Sequence, residues 1–379
     1  MKFTVNRLEF IKSLTDVQRA ISTKTTIPIL TGLKLKLEAK GLTLTGSDAD
    51  ISIETFIPAE DDKAQLQVEE PGQVVLTARI FSEIIKKLPE DTLTLEVTEN
   101  YQTEILSGTA SFSIKGLNAE NYPHLPEINA EDTLNLESDI LKQIIGQTVI
   151  AVSTQESRPI LTGVHLAIKN GQLSAVATDS HRLSQRKIAI NVADSVTYDI
   201  IIPGKSLSEL SKMIGEDVAQ VEVRISENQV LFEFNNTTFY SRLLEGNYPD
   251  TDRLIPKDSD TEIDFNASEF LASIERASLL SHAGQNNVVK LALDTENQKA
   301  TIYSNSPEIG NVEEELKFQK LAGNDIEISF NPDYMKDALR SFGQSTITIS
   351  FNAPLRPFTL VPSEDQEHFI QLITPVRTY

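Results

Sequence analysis

Hydrophobic positions in this chain switch period several times, from the three-and-four spacing of helices to strict alternation and back. Leu8, Ile11, Leu14, Val17 and Ile21 follow helical spacing, and Asn6 with Glu9 three residues on predicts a capped helix start. Alternation follows, with Leu33, Leu35 and Leu37 separated by Lys34 and Lys36, which predicts antiparallel strands with one face in water. A second helix is predicted over residues 77–88, and Leu93, Leu95 and Val97 then alternate again. The same order returns from Ser138, with Ile144, Ile145 and Val149, then Val164, Leu166 and Ile168, a helix from Gly204, and Val221, Val223 and Ile225. A third round starts at Asn266, with Leu271, Ile274, Ala277 and Leu280 facing inward. Val289, Leu291 and Leu293 follow, then a helix opened by Asn331-Pro332, then Ile347, Ile349 and Phe351. Gly41, Asn170-Gly171 and, more weakly, Glu296-Asn297 sit where hairpin turns are needed.

The pattern repeats because the sequence does. Pro28-Ile29-Leu30-Thr31-Gly32 recurs 131 positions later as Pro159-Ile160-Leu161-Thr162-Gly163, and Ile21-Ser22-Thr23 has its counterpart in Val152-Ser153-Thr154. Between the second helices the offset falls to 126, which gives the first copy about five extra residues, assigned here to an acidic loop over residues 60–70. Asn121-Tyr122-Pro123-His124-Leu125-Pro126 matches Asn247-Tyr248-Pro249-Asp250, and both segments read as linkers. Boundaries near Ile128 and Pro256 give three similar α+β domains, 1–128, 129–256 and 257–379, each with two helices packed on antiparallel sheet.

Composition narrows the chemistry. The absence of cysteine excludes disulfides, thiol catalysis and cysteine metal sites. No signal segment opens the chain and no apolar run approaches membrane length, so a cytoplasmic location is expected. The net charge of −21, from 55 acids against 34 bases, argues against a uniform nucleic-acid-binding surface. Many bases nevertheless fall on the predicted helices: Arg7, Lys12 and Arg19; Arg79, Lys86 and Lys87; Lys142; Lys205 and Lys212; Arg276; Lys336 and Arg340. Each singly is an ordinary helix-surface charge. If all six helices faced one cavity, its lining would be basic within an acidic shell and would suit a polyanion held through its phosphates.

Asp179-Ser180-His181-Arg182 invites a catalytic reading. Strand neighbours point to opposite faces, and the first copy has Asp48-Ala49-Asp50-Ile51 at the same place, with neither nucleophile nor base. A binding surface fits better. His124, His165, His181, His282 and His368 show no paired metal spacing, and there is no glycine-rich phosphate loop, so no cofactor or metal is expected.

The chain resembles the bacterial sliding-clamp family, the beta subunits of DNA polymerase III. The resemblance is carried by Thr26-Ile27-Pro28-Ile29-Leu30, Ala177-Thr178-Asp179-Ser180-His181-Arg182-Leu183, Glu245-Gly246-Asn247-Tyr248-Pro249-Asp250 and the terminal Leu372-Ile373-Thr374-Pro375-Val376-Arg377. It implies a head-to-tail homodimer closing into a ring, helices inside and sheets outside. Such a ring encircles duplex DNA without reading sequence and catalyses nothing. It also implies a pocket for short linear peptides of the replicative polymerase, the clamp loader, repair polymerases and mismatch-repair proteins. Carried residue by residue, that pocket comprises Leu161, Thr178, Ser180, His181, Arg182, Leu183, Pro249, Arg253, Leu254, Leu372, Thr374, Pro375, Val376 and Arg377. The leucines, Pro375 and Val376 would take apolar anchors, and His181, Arg182 and Arg377 the peptide's polar groups. Ser180 stands where the best-known members carry Gly, and Thr374 where they carry Met. DNA contacts map to Lys24 and Gln155, with Arg158 and Lys205 as further candidates. Two other classes stay open from the residues alone: a repeat scaffold that gathers peptides without encircling DNA, and an enzyme using Asp179, Ser180 and His181.

Overall fold

The computed structural model describes residues 1–22, 24–125, 128, 133–284 and 287–378. Thr23 of the repeated segment and Pro126 of the first linker lie outside the described residues, as do most positions around the first expected boundary.

The first copy holds β1 (Lys2–Asn6), α1 (Arg7–Gln18), β2 (Gly32–Glu38), β3 (Gly41–Ser47), β4 (Ile51–Pro58) and β5 (Gln67–Glu70). It continues with β6 (Gly72–Thr77), α2 (Ala78–Lys87), β7 (Thr92–Val97), β8 (Gln102–Ser107) and β9 (Ala110–Lys115). The second has β10 (Thr133–Glu137), α3 (Ser138–Thr148), β11 (Gly163–Lys169), β12 (Gln172–Thr178) and β13 (Arg182–Ala189). β14 (Tyr198–Pro203), α4 (Gly204–Met213), β15 (Gln220–Ile225), β16 (Gln229–Phe234) and β17 (Thr237–Arg242) complete it. The third has β18 (Thr261–Asn266), α5 (Ala267–Ala283), β19 (Val289–Asp294), β20 (Lys299–Ser306), β21 (Gly310–Glu315) and β22 (Lys320–Gly323). It ends with β23 (Ile326–Phe330), α6 (Pro332–Phe342), β24 (Thr346–Phe351), β25 (Phe358–Pro362) and β26 (Phe369–Ile373).

Local sequence explains the helix starts. Asn6 Oδ1 accepts from the Leu8 and Glu9 N–H groups, Asn266 does the same for Ser268 and Glu269, and Asn331 caps α6 just before Pro332. The buried stripe of α1 is Phe10, Ser13, Leu14 and Val17; Leu8, expected inward, is 53% exposed. Phe10 outcompetes it, filling the core edge-to-face with Phe3 and Phe81. The turn at Asn170-Gly171 has φ of 51° and 68°, the left-handed pair a two-residue hairpin demands.

The repeated pentapeptide is a structural device. In both copies it forms a single 3₁₀ turn with proline at its start and a buried leucine, and its threonine hydroxyl donates back to the proline carbonyl at 2.8 and 2.6 Å. The closing glycine lets the next strand approach: a Cβ on Gly32 would lie 2.6 Å from Val75 Cγ1, and one on Gly163 2.7 Å from Ile201 Cγ2.

Three expectations need correction. Each copy opens with a strand missed by periodicity, and β1, β10 and β18 pair with β7, β15 and β24. The acidic stretch is not all loop, because β5 within it pairs with β1. The five extra residues do fall there, since β4 and β13 start 131 residues apart and β6 and β14 start 126 apart. The Asn-Tyr-Pro segments are pinned rather than loose: Tyr122 is buried and its hydroxyl donates to the Gly32 carbonyl at 3.5 Å, and the Tyr248 hydroxyl accepts from the Thr178 N–H at 3.1 Å.

The chain forms two compact units. Residues 1–139 with 209–243 contain a five-stranded sheet ordered β5-β1-β7-β8-β9 and an eight-stranded sheet ordered β10-β15-β16-β17-β4-β3-β2-β6. Residues 140–208 with 244–379 contain a nine-stranded sheet ordered β14-β11-β12-β13-β26-β25-β24-β18-β22 and a four-stranded sheet ordered β21-β20-β19-β23. Each long sheet joins two copies edge to edge, through β17 on β4 in one unit and β13 on β26 in the other. Helices pack on one face of the sheets; in the second unit Phe265 of β18 stacks on Phe270 of α5 with ring centroids 4.3 Å apart.

Candidate functional site

The second junction, where β13 meets β26, gathers the assigned groove residues. Thr178 ends β12, Arg182 begins β13, and the tight turn between them is built by Asp179. Asp179 Oδ1 accepts from the His181 and Arg182 N–H groups at 2.9 and 3.0 Å, and Ser180 N–H donates to Thr178 Oγ1. Asp48, Ala49 and Ser47 repeat this geometry in the first copy, with φ of 79° at Ala49 and 80° at Ser180. Asp179 is thus a turn-former of the repeated unit. The residues lie in a turn, not along a strand as first reasoned, and the turn separates the three groups just as well. Asp179 Oδ2 accepts from Arg182 Nε, Ser180 Oγ accepts from Arg158 at 3.2 Å, and the His181 ring stacks on Tyr334, so they do not form a relay. The glycine expected by resemblance at 180 suits this positive φ; the serine present is held by Arg158.

Arg182 ties the turn to α6. Its Nη1 donates to Asp337 Oδ2 at 2.7 Å, and its guanidinium carbon sits 4.6 Å from the Tyr334 ring centre. The tail closes the other side: Thr374 N–H donates to the His181 carbonyl and Val376 N–H to the Ser329 carbonyl. The run from Phe369 to Ile373 is therefore a docked strand, with Leu372 opposite Leu183.

Below the turn, Val176, Leu183 and Leu372 form a buried cluster against which Tyr248 and Ile255 pack. Leu161 is 5% exposed and Leu183 only 1%, so both leucines are core positions with little open surface. Leu254, at 51% exposure, and Pro249 are open on the rim, and Arg253 pairs with Asp250 at 2.8 Å. Pro375 and Val376 are half-buried, and Arg377 is exposed. Burial pushes the Tyr248 phenol up to about 12, helped by Asp179, while its bond to Thr178 opposes the shift; the ring stays neutral and stacks on His165 at 5.1 Å. Tyr334 contacts Arg182 and His181, Asp337 contacts Arg182, and both escaped the sequence reading, because α6 lies over 150 residues from the turn and carries no word shared with it. Tyr248 was within reach, since its word is repeated.

The DNA candidates Lys24, Gln155, Arg158 and Lys205 are all exposed. Several helix bases are paired: Lys12 with Glu9, Arg19 and Lys212 with Glu209, Arg276 with Glu314, Lys336 with Asp333 and Arg340 with Glu275. Arg7 caps the end of α2 through the Lys86 and Glu90 carbonyls. Among the described residues, no carboxylate pairs with Arg79, Lys86 or Lys142.

Fold and site together define an α+β scaffold of three like domains, with the turn before β13, the C-terminal tail and α6 held against one another at the second edge-to-edge junction. Comparison with known proteins identifies the lineage. Models of the DNA polymerase III beta subunit match throughout: the N-terminal domain over residues 1–126, the central domain over 135–250 and the C-terminal domain over 252–377. The beta sliding clamp of Bacillus subtilis strain 168 is 50% identical over 380 residues, covering 100% of both chains. A crystal structure of the Bacillus subtilis DNA polymerase sliding clamp superposes with a TM-score of 0.96 at 49% identity, again over 100% of both chains. A Pseudomonas aeruginosa sliding clamp bound to griselimycin matches with a TM-score of 0.91 at 25% identity over 100% of both chains. The chain belongs to the DNA polymerase III beta subunit family, the beta sliding clamps, and its role is that of a processivity factor for DNA polymerase.

Proposed function

We propose that two copies of this chain close head to tail into a ring around duplex DNA and recruit polymerases through the groove at the second junction. One observation carries the ring. β4 of the first copy pairs with β17, the last strand of the second, and β13 of the second pairs with β26, the last of the third. The remaining counterparts are β21 and β9, and each has a single strand neighbour among the described residues. A second copy supplies what both lack, and a heterologous contact of this kind closes when the rotation allows.

The repeat also sets the register. Ile53 faces Phe239 where β4 meets β17. Their counterparts, read through the hairpins each copy shares, are Val312 and Phe112, so these two face each other across the closing junction. Phe112 is 40% exposed on β9.

With the ring closed, Lys24, Gln155, Arg158 and Lys205 contact phosphates without reading bases, which permits sliding. Leu161, Thr178, Ser180, His181, Arg182, Leu183, Pro249, Arg253, Leu254, Leu372, Thr374, Pro375, Val376 and Arg377 form the peptide groove. Its occupants are short linear segments of the replicative polymerase, loader, repair polymerases and mismatch-repair proteins. The ligand-bound Pseudomonas relative supports a ligand site on this fold. Domain limits near Ile128 and Pro256, a cytoplasmic location and the lack of any reaction of its own complete the reading. Primer extension on a long single-stranded circle tests it. Wild type lengthens polymerase products, and His181→Ala lengthens them less; unchanged product length with wild type refutes the proposal.

A further inference from the structure

We propose that Asp337 is a positioning residue of the groove: it holds the Arg182 guanidinium so that the β12–β13 turn and α6 keep one separation. The inference rests on the groove reading above. Arg182 is only 16% exposed, and two of its three nitrogens are engaged, Nε by Asp179 and Nη1 by Asp337, while its face lies on Tyr334. The latch reaches the rest of the groove through neighbours: His181 leans on the same Tyr334 ring, and Thr374 of the tail donates to the His181 carbonyl.

The repeat gives independent support. Asp337 is the sixth residue of α6, and Glu209 is the sixth of α4. Glu209 takes Arg19, from the preceding copy, at 3.2 Å and is backed three residues on by Lys212; Asp337 takes Arg182, also from the preceding copy, and is backed three residues on by Arg340. Both junctions are therefore latched by an acid at one helical position. They differ in where the arginine sits. At the first junction it ends a helix; at the second it lies in the turn that carries His181. That shift couples the latch to the groove at the second junction alone.

The test measures anisotropy of a fluorescent peptide, chosen as the tightest binder of wild-type protein from an array of replication and repair polymerase segments. Asp337→Asn is expected to weaken binding by about tenfold, the value of one charge-assisted hydrogen bond. Asp337→Glu restores most of it. Glu209→Gln cuts the matching latch and leaves peptide affinity at the wild-type value, although both neutral variants lower the melting temperature alike. Unchanged or tighter peptide binding by Asp337→Asn, or equal weakening by Glu209→Gln, overturns the inference alone. A wild-type chain that captures no peptide overturns the groove reading and this inference together.

Discussion

Replacing Phe112 by aspartate isolates the closing junction. Phe112 retains 40% of its surface in the single chain. A phenylalanine presents about 200 Å², so closure removes about 80 Å² of apolar area at this residue. At about 25 cal/mol per Å² that is about 2 kcal/mol for each junction. A ring of two chains has two such junctions, and dissociation breaks both, so losing the phenylalanine costs about 4 kcal/mol, or about three decades in Kd. Aspartate also sets a charge against the apolar Val312 across the junction, which raises the loss further. Sedimentation equilibrium of wild type and Phe112→Asp over a wide concentration range measures the shift. β9 carries no groove residue, so the separated chains keep peptide binding. A variant that dimerises as tightly as wild type refutes both the register and the junction.

Two further outcomes follow from the interior. Burial raises Glu54 above the ordinary glutamate value despite the Thr45 hydrogen bond and the charges of Lys34 and Lys36. Its folded form therefore binds the proton more tightly than the unfolded chain, so Glu54 costs nothing below about pH 4.5 and destabilises as pH rises through the raised value. Glu54→Gln should raise the melting temperature at pH 7.5, and the gain should vanish at pH 4; an equal gain at both would refute the assignment. Gly163→Ala forces a Cβ to within 2.8 Å of the Ile202 carbonyl and of Leu244 Cδ1. It should destabilise by about 1–3 kcal/mol in urea unfolding, and a neutral result would mean the close strand approach is not needed.

How much was legible in advance depended on how local the cause was. Asn6, Asn266 and Asn331 are caps whose partners lie two or three residues away, and the Asn170-Gly171 turn is set by its own backbone, so sequence sufficed. The strands β1, β10 and β18 are five or six residues long and run straight into helices, too short for alternation to stand out before the helical period begins. β5 carries an acidic sequence that reads as solvated, yet it needs only an edge partner, β1, to become a strand. At the groove, the words around His181 and Pro375 located the turn and the tail. The resemblance did not carry the side chains that hold them, Tyr334 and Asp337, because their effect on Arg182 is a contact across two copies.

Topological retention tests the central claim most directly. The chain is loaded with an ATP-driven loader onto nicked circular DNA, which is then cut once and passed over a sizing column at high salt. A closed ring that touches phosphates without gripping bases stays with the intact circle and leaves the linear duplex through its free ends. Equal retention on the linear molecule, or equal loss from both, would contradict encirclement.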